Sequence, residues 1–355
     1  MVRYLHPESI NYLRGNMALN YLSYGLEKGY IQNWLVAGPQ AIQVANLEQF
    51  TGAEYYKLQI ARHYYDPESG ITELPAEGAA VEVGDFKGRW DYFRCKIDHF
   101  VDLTAFYHLT HYLRAWAYAQ VNCPEDCEVS LVLTTNGPAD VWVNGQHCHR
   151  QEQFHHQIPH SEPFKATLKQ GVNELLVRFE AVAARECPYA MALRLAGPGG
   201  EDLSADCSVQ LPTGLQPFDR RKTLERVLEA AYTRQDVFNT EQTVKVHWPD
   251  HLPESASITI RVQSVAKRIY SESNRKGAAG QEAPLGQAVF FPDGEYRAVV
   301  MPRPQEYYEG GMRISREIPL RITRQRYSSA PYGTYAERRI EALQQLQRRG
   351  QVVQF

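Results

Sequence analysis

The 355-residue chain is 43% hydrophobic and 22% charged, which excludes wholesale disorder and exceeds what one hydrophobic core usually holds. Its formal net charge of −3 offers no concentrated basic surface, so a nucleic-acid partner is not expected. No window approaches the roughly 20 apolar residues that cross a bilayer, so no membrane partner is expected either. The opening Met1-Val-Arg-Tyr-Leu-His-Pro-Glu8 lacks the charged-then-apolar order of a secretory leader, which points to the cytoplasm, or to secretion if a leader was trimmed. Six cysteines, none in a C-x-x-C pair, are too sparse for a disulfide scaffold and read as reduced thiols.

In chain order, residues 1–32 are too irregular for more than an N-terminal arm with a short helical piece around Tyr12, Leu13 and Met17. From Trp34 onward, short β-rich runs broken by Gly, Pro, Asn and Asp recur, as in an antiparallel sandwich rather than βαβ units. His111 to Val121 alternates Ala115, Ala117, Ala119 and Val121 with Trp116, Tyr118 and Gln120, a strand with one small face suited to close packing. Val129 to Thr135 is a second strand, and Ala139 to Val143 runs into Asn144-Gly145, a pair that favours a tight hairpin turn. Further strands are expected at Phe164–Leu168, Asn173–Phe179 and Tyr189–Leu195, with Gly171 at a turn, until Ala196-Gly-Pro-Gly-Gly200 closes the unit.

Arg220 to Tyr232 places Leu224, Val227, Leu228 and Ala231 at amphipathic spacing, a helical spacer within a linker over residues 201–236. Thr243–Trp248, Ser257–Val262, Ala288–Phe291, Glu295–Met301 and Ile314–Ile322 then give a second sandwich over residues 237–325, immunoglobulin-like in size, with Pro292-Asp-Gly294 as a turn. Thr334-Tyr-Ala-Glu337 has capping-box spacing and opens a C-terminal helix within residues 326–355, either the first helix of a truncated helical domain or a terminal helix that packs back on a sandwich. The expected fold class is therefore all-β: two antiparallel β-sandwiches, a helical spacer and a C-terminal helix.

Asp140-Val-Trp-Val-Asn-Gly145, preceded by a Leu/Val strand and followed by Phe154, Phe164, Leu168 and Gly171-Val-Asn-Glu-Leu-Leu-Val177, resembles the galactose-binding-like jelly roll attached to glycoside hydrolases and related polysaccharide enzymes. Trp34-Leu-Val-Ala-Gly-Pro39, Gly88-Arg-Trp-Asp-Tyr92 and Val101-Asp-Leu-Thr104 are similar to what those domains carry upstream. The resemblance covers residues from about 34 to 195 and implies a sugar-facing or enzyme-supporting module with an oligo- or polysaccharide as partner, while the C-terminal helix adds the expectation of a helical catalytic domain of the same polypeptide. Trp142 reads as a core aromatic. Trp90, Tyr92, Tyr64 and Tyr65 lie near loop signals, where a ring can stack on a pyranose face, and are the candidate carbohydrate-binding residues.

His147 and His149 share a face if their strand is regular, and His155 or His156 could join them from a returning loop, the donor set a zinc or copper ion would use. A polar strand and a solvated loop explain the same residues, so neither metal nor cofactor is expected. Asp140, Glu152, Glu162 and Glu309 are carboxylates whose mutual placement the sequence does not give, and the motifs of serine hydrolases, nucleotide-binding loops and zinc proteases are absent. The expected function is a non-catalytic carbohydrate-binding or supporting region of a larger carbohydrate-active enzyme. A glycoside hydrolase or polysaccharide lyase with its site between the sandwiches, and a structural protein-interaction subunit, remain the alternatives.

Overall fold

A computed structural model describes residues 19–324 apart from 51–54, 97, 157, 249–255, 277–280 and 305–311. Strands come first: β1 (Leu19–Gly25) and β2 (Asn33–Gln43), then helix α1 (Tyr56–His63) and the short strands β3 (Ala80–Val83), β4 (Phe86–Arg89), β5 (Asp91–Arg94) and β6 (Val101–Asp102). The central strands follow as β7 (Ala105–Cys123), β8 (Cys127–Thr135), β9 (Ala139–Val143), β10 (Gln146–Gln151), β11 (His160–Leu168), β12 (Gly171–Cys187), β13 (Ala190–Ala196) and β14 (Ser208–Gly214). Helix α2 (Leu215–Ala230) leads to β15 (Val237–Asn239), β16 (Thr243–His247), β17 (Ala256–Ser264), β18 (Ile269–Lys276), β19 (Glu282–Gln287), β20 (Gly294–Pro304), β21 (Met312–Arg313) and β22 (Arg316–Thr323). None of the described helices is long and apolar enough to cross a membrane.

Nine strands form one sheet in the order β10-β9-β12-β7-β2-β5-β21, with β14 pairing to both β7 and β1. Four form a second sheet, β11-β8-β13-β6. Period-2 alternation buries Val129, Leu131 and Leu133 of β8 on the same side as Met191, Leu193 and Leu195 of β13. Against them lies the small-residue face of β7, with Ala115, Ala117 and Ala119 fully buried beside Val177 and Leu175 of β12. Asn144 (φ 51°) and Gly145 (φ 77°) turn β9 into β10, as their dipeptide predicts.

A second assembly has the five-stranded sheet β15-β22-β20-β17-β18 and the two-stranded sheet β16-β19. It buries Ile258, Ile260, Val262, Ala298, Val300 and Leu320 with Val244, Val246 and Trp248. The all-β class is as expected, with corrections in four elements. Residues 19–25 are not an arm but a strand paired along its length with 208–214, which itself is strand rather than linker. Ala288–Phe290 is a 3₁₀ turn, because a short apolar run does not fix its own period. The spacer helix begins at Leu215, earlier than its apolar spacing suggests. The C-terminal helix expected over 326–355 lies outside the described residues.

Candidate functional site

The other face of the nine-stranded sheet carries Tyr112, Arg114, Trp116 and Tyr118 of β7 and Arg178 and Glu180 of β12, followed by Asp140 and Trp142 of β9. Register sets Arg150, Asp140, Arg178 and Trp116 side by side across four strands, a charge-alternating row. The segment between α1 and β5 crosses this face. Trp116 Nε1 donates to the Ser69 carbonyl (2.9 Å), Phe86 stacks on Trp116 (5.4 Å), and Arg178 Nη1 donates to the Glu68 carbonyl (2.6 Å). Behind it Ile60 and Ala61 of α1 pack with Tyr112 and Val182 in a satellite core.

Asp140, fully buried, is the hub. Its Oδ2 accepts from Arg178 Nη2 (2.7 Å) and Arg150 Nη1 (2.6 Å), and its Oδ1 lies 2.9 Å from His147 Nε2. The Tyr65 ring lies 3.7 Å from the Arg150 guanidinium carbon, a cation–π contact. Burial opposes the charge on Arg150, yet the carboxylates of Glu180 and Asp140 more than offset this and hold its pKa above the usual range. Glu180 is bound more loosely, with Oε1 3.5 Å from Arg178 Nε and 3.8 Å from Arg150 Nη1. Burial pushes its carboxyl up to about 7.

From this interior the ion pairs step outward. Arg150 Nε reaches exposed Glu152 (3.3 Å), whose other oxygen lies 3.7 Å from Arg62 of α1. The exposed His147 sits edge-on to Trp142 (5.2 Å). Half-buried Tyr65, Arg150, exposed His147 and Glu152 thus form a rim of donors, acceptors and one ring, anchored on a buried carboxylate. Asp140 and Glu180 themselves are closed off from solvent, so the chemistry open to this arrangement is hydrogen bonding and ring stacking at the rim.

The sequence candidates divide. Trp90 is 2% exposed and Tyr92 fully buried, the latter donating to Asn33 Oδ1 (2.7 Å) and stacked on Tyr24. Both rings belong to the main core, so neither is offered to a sugar. Tyr64 and Tyr65 are half-buried, each with a partner on its ring: Tyr112 at 4.9 Å and Arg150 at 3.7 Å. Trp142 is buried as expected. His147 and His149 do not share a face. A bulge at Cys148 shifts the β10 register, so His147 goes to Asp140 while His149 stacks on Phe164 of the opposite sheet (4.4 Å). His155 stacks on His160 (4.7 Å) rather than on either, and His156 is exposed. No group of three or more metal-ligating side chains converges among the described residues. Glu162 lies 3.8 Å from His149, and Glu309 is outside the described residues. Arg150, Arg178 and Glu180 are absent from the sequence candidates, although the alternation Val177-Arg-Phe-Glu180 beside Ala139-Asp-Val141 carries the opposite charges that the sheet aligns.

No family model matches the chain, and no curated protein matches it. Among solved structures, it is similar to a family 35 carbohydrate binding module from Clostridium thermocellum at 17% identity, over 28% of this chain and 88% of that one, with a TM-score of 0.20. It is also similar to the Parabacteroides merdae beta-glucuronidase at 10% identity, over 85% of this chain and 36% of that one, with a TM-score of 0.25. Similarity to the Ruminococcus gnavus beta-glucuronidase stands at 11% identity, over 87% of this chain and 46% of that one, with a TM-score of 0.21. The chain therefore spans less than half the length of either glucuronidase.

Proposed function

We propose that this chain is a non-catalytic region of a carbohydrate-active protein, and that its first sandwich binds an oligo- or polysaccharide weakly at the Tyr65–Arg150–His147–Glu152 rim. The observation that carries the reading is the anchoring of Arg150 and His147 on buried Asp140, which holds polar groups at the surface in fixed positions beside a tyrosine ring. Fixed donors and acceptors lose little freedom on taking up hydroxyl groups, and a ring adds the apolar contact that a pyranose face offers. The galactose-binding-like motif around Asp140 to Gly145 and the immunoglobulin-like character of the second sandwich belong to the same reading, as does a further helical catalytic domain of the same polypeptide.

Retardation in affinity gels containing plant and bacterial polysaccharides tests it, with reducing-end release followed in parallel. One or more polymers should retard the wild type and not Tyr65→Ala or Arg150→Ala, with no reducing ends released. Retardation by none, or release that a single carboxylate substitution abolishes, overturns the reading.

A further inference from the structure

Cys123 closes β7, Cys127 opens β8 in the facing sheet, and Cys207 immediately precedes β14. The first and last are neighbours in space. Because Ser208 pairs with Asn122, Cys207 falls opposite Cys123, and their Sγ atoms are 3.6 Å apart, although 84 residues separate them in the chain. Both are free thiols, 3% and 5% exposed, and Cys127 is the half-buried third member. Residues directly opposite on antiparallel strands have Cα atoms about 4.5 to 5.5 Å apart, inside the span a disulfide bridges, so side-chain rotation alone can bring the sulfurs to about 2.05 Å.

We propose that Cys123 and Cys207 are a peroxide-sensitive dithiol whose oxidation to a disulfide staples β14 to the central strand β7. Either sulfur can donate the 3.6 Å hydrogen bond between them; with Cys123 as donor the Cys207 thiolate is favoured, so Cys207 is taken as the nucleophile and Cys123 as the resolving thiol. Cys207 gives up its thiol proton, its thiolate attacks one oxygen of hydrogen peroxide, the O–O bond breaks, and the departing hydroxide takes up that proton as water, leaving a sulfenic acid on Cys207. Cys123 sulfur then displaces the sulfenic hydroxyl, which departs with the thiol proton as water. In sum two thiols and one peroxide give one disulfide and two waters. Since β14 runs without interruption into α2, the staple fixes the strand from which the connector to the second sandwich emerges.

The test uses the full chain with Cys148→Ser, which removes the exposed thiol that would otherwise cross-link molecules. After a small excess of hydrogen peroxide, the thiol count of the unfolded protein should fall by two, with a mass loss of about 2 Da and a Cys123–Cys207 linked peptide. The Tm should rise by roughly 5 °C and return with dithiothreitol. Adding Cys127→Ser should change none of this. Adding Cys123→Ser should leave a sulfenic acid on Cys207 that dimedone traps, a readout independent of any loss of fold. An unchanged thiol count, a Cys123–Cys127 linked peptide, or sulfinic acid accumulating on Cys207 with Cys123 still present overturns the proposal.

Discussion

Asp140 and Glu180 face the same two arginines, yet their surroundings set them different tasks. Asp140 receives two short guanidinium hydrogen bonds, so replacing it strands Arg178, which is fully buried. Asp140→Ala should cost about 3 to 5 kcal/mol in urea unfolding, the usual penalty for an unpaired buried charge. Glu180 lacks such bonds, and burial lifts its carboxyl from 4.5 to about 7. The folded protein therefore keeps a proton that the unfolded chain releases, and stability falls as pH rises through about 4.5 to 7, levelling off above. A shift of this size corresponds to about 3 kcal/mol. Glu180→Gln should flatten that slope, matching the wild type near pH 4.5 and exceeding it at pH 8, as unfolding at the two pH values will measure. These roles were not legible in the sequence. Alternating charge on a strand ordinarily means a solvated face, and what covers this one is Glu68, 110 residues from the Arg178 it receives.

At the scale of elements, the asparagines of the recognisable motif explain their own spacing. Asn144 Nδ2 donates to Asn173 Oδ1 (2.9 Å), and Asn144 Oδ1 accepts from the Glu174 amide (2.9 Å). Asn173, fully buried, also clamps Lys169 through its amide (2.8 Å) and carbonyl (2.7 Å). Two turns, β9–β10 and β11–β12, are thus locked to each other by side chains. Asn173→Ala should cost roughly 2 to 4 kcal/mol and Asn144→Ala about 1, read from chemical denaturation, because the former removes a fully buried side chain that makes several hydrogen bonds and the latter an exposed one. Turn chemistry and period-2 burial were therefore readable for β7 to β13. Strands with little apolar alternation were not: β18, Ile269-Tyr-Ser-Glu-Ser-Asn-Arg-Lys276, pairs among the described residues with β17 alone, and nothing in its composition separates it from a loop.

Across the whole molecule, the second assembly is tied to the first by more than its connector. Met312 and Arg313 of β21 pair in parallel with Tyr92 and Phe93 of β5, and Arg316 Nη1 donates to the Leu228 carbonyl of α2 (3.2 Å). Glu317 of β22 receives both Lys96 (3.1 Å) and Arg297 (2.5 Å). Burial works against its charge, but those two cations outweigh burial and depress its pKa. This contribution is present above the unfolded carboxylate range and is lost as pH falls through the lower folded value. Glu317→Gln should therefore speed amide exchange in β5 and β22 at pH 7, with the difference from wild type vanishing in acid.

The bulge that parts His147 from His149 lies in β10, an outermost strand of the large sheet. A regular outermost strand offers an unbroken row of amides and carbonyls to any passing chain, whereas one surplus residue throws that row out of step. Deleting Cys148 should restore the rhythm while leaving His149 opposite Val141, and light scattering should then grow with concentration more steeply than in the wild type.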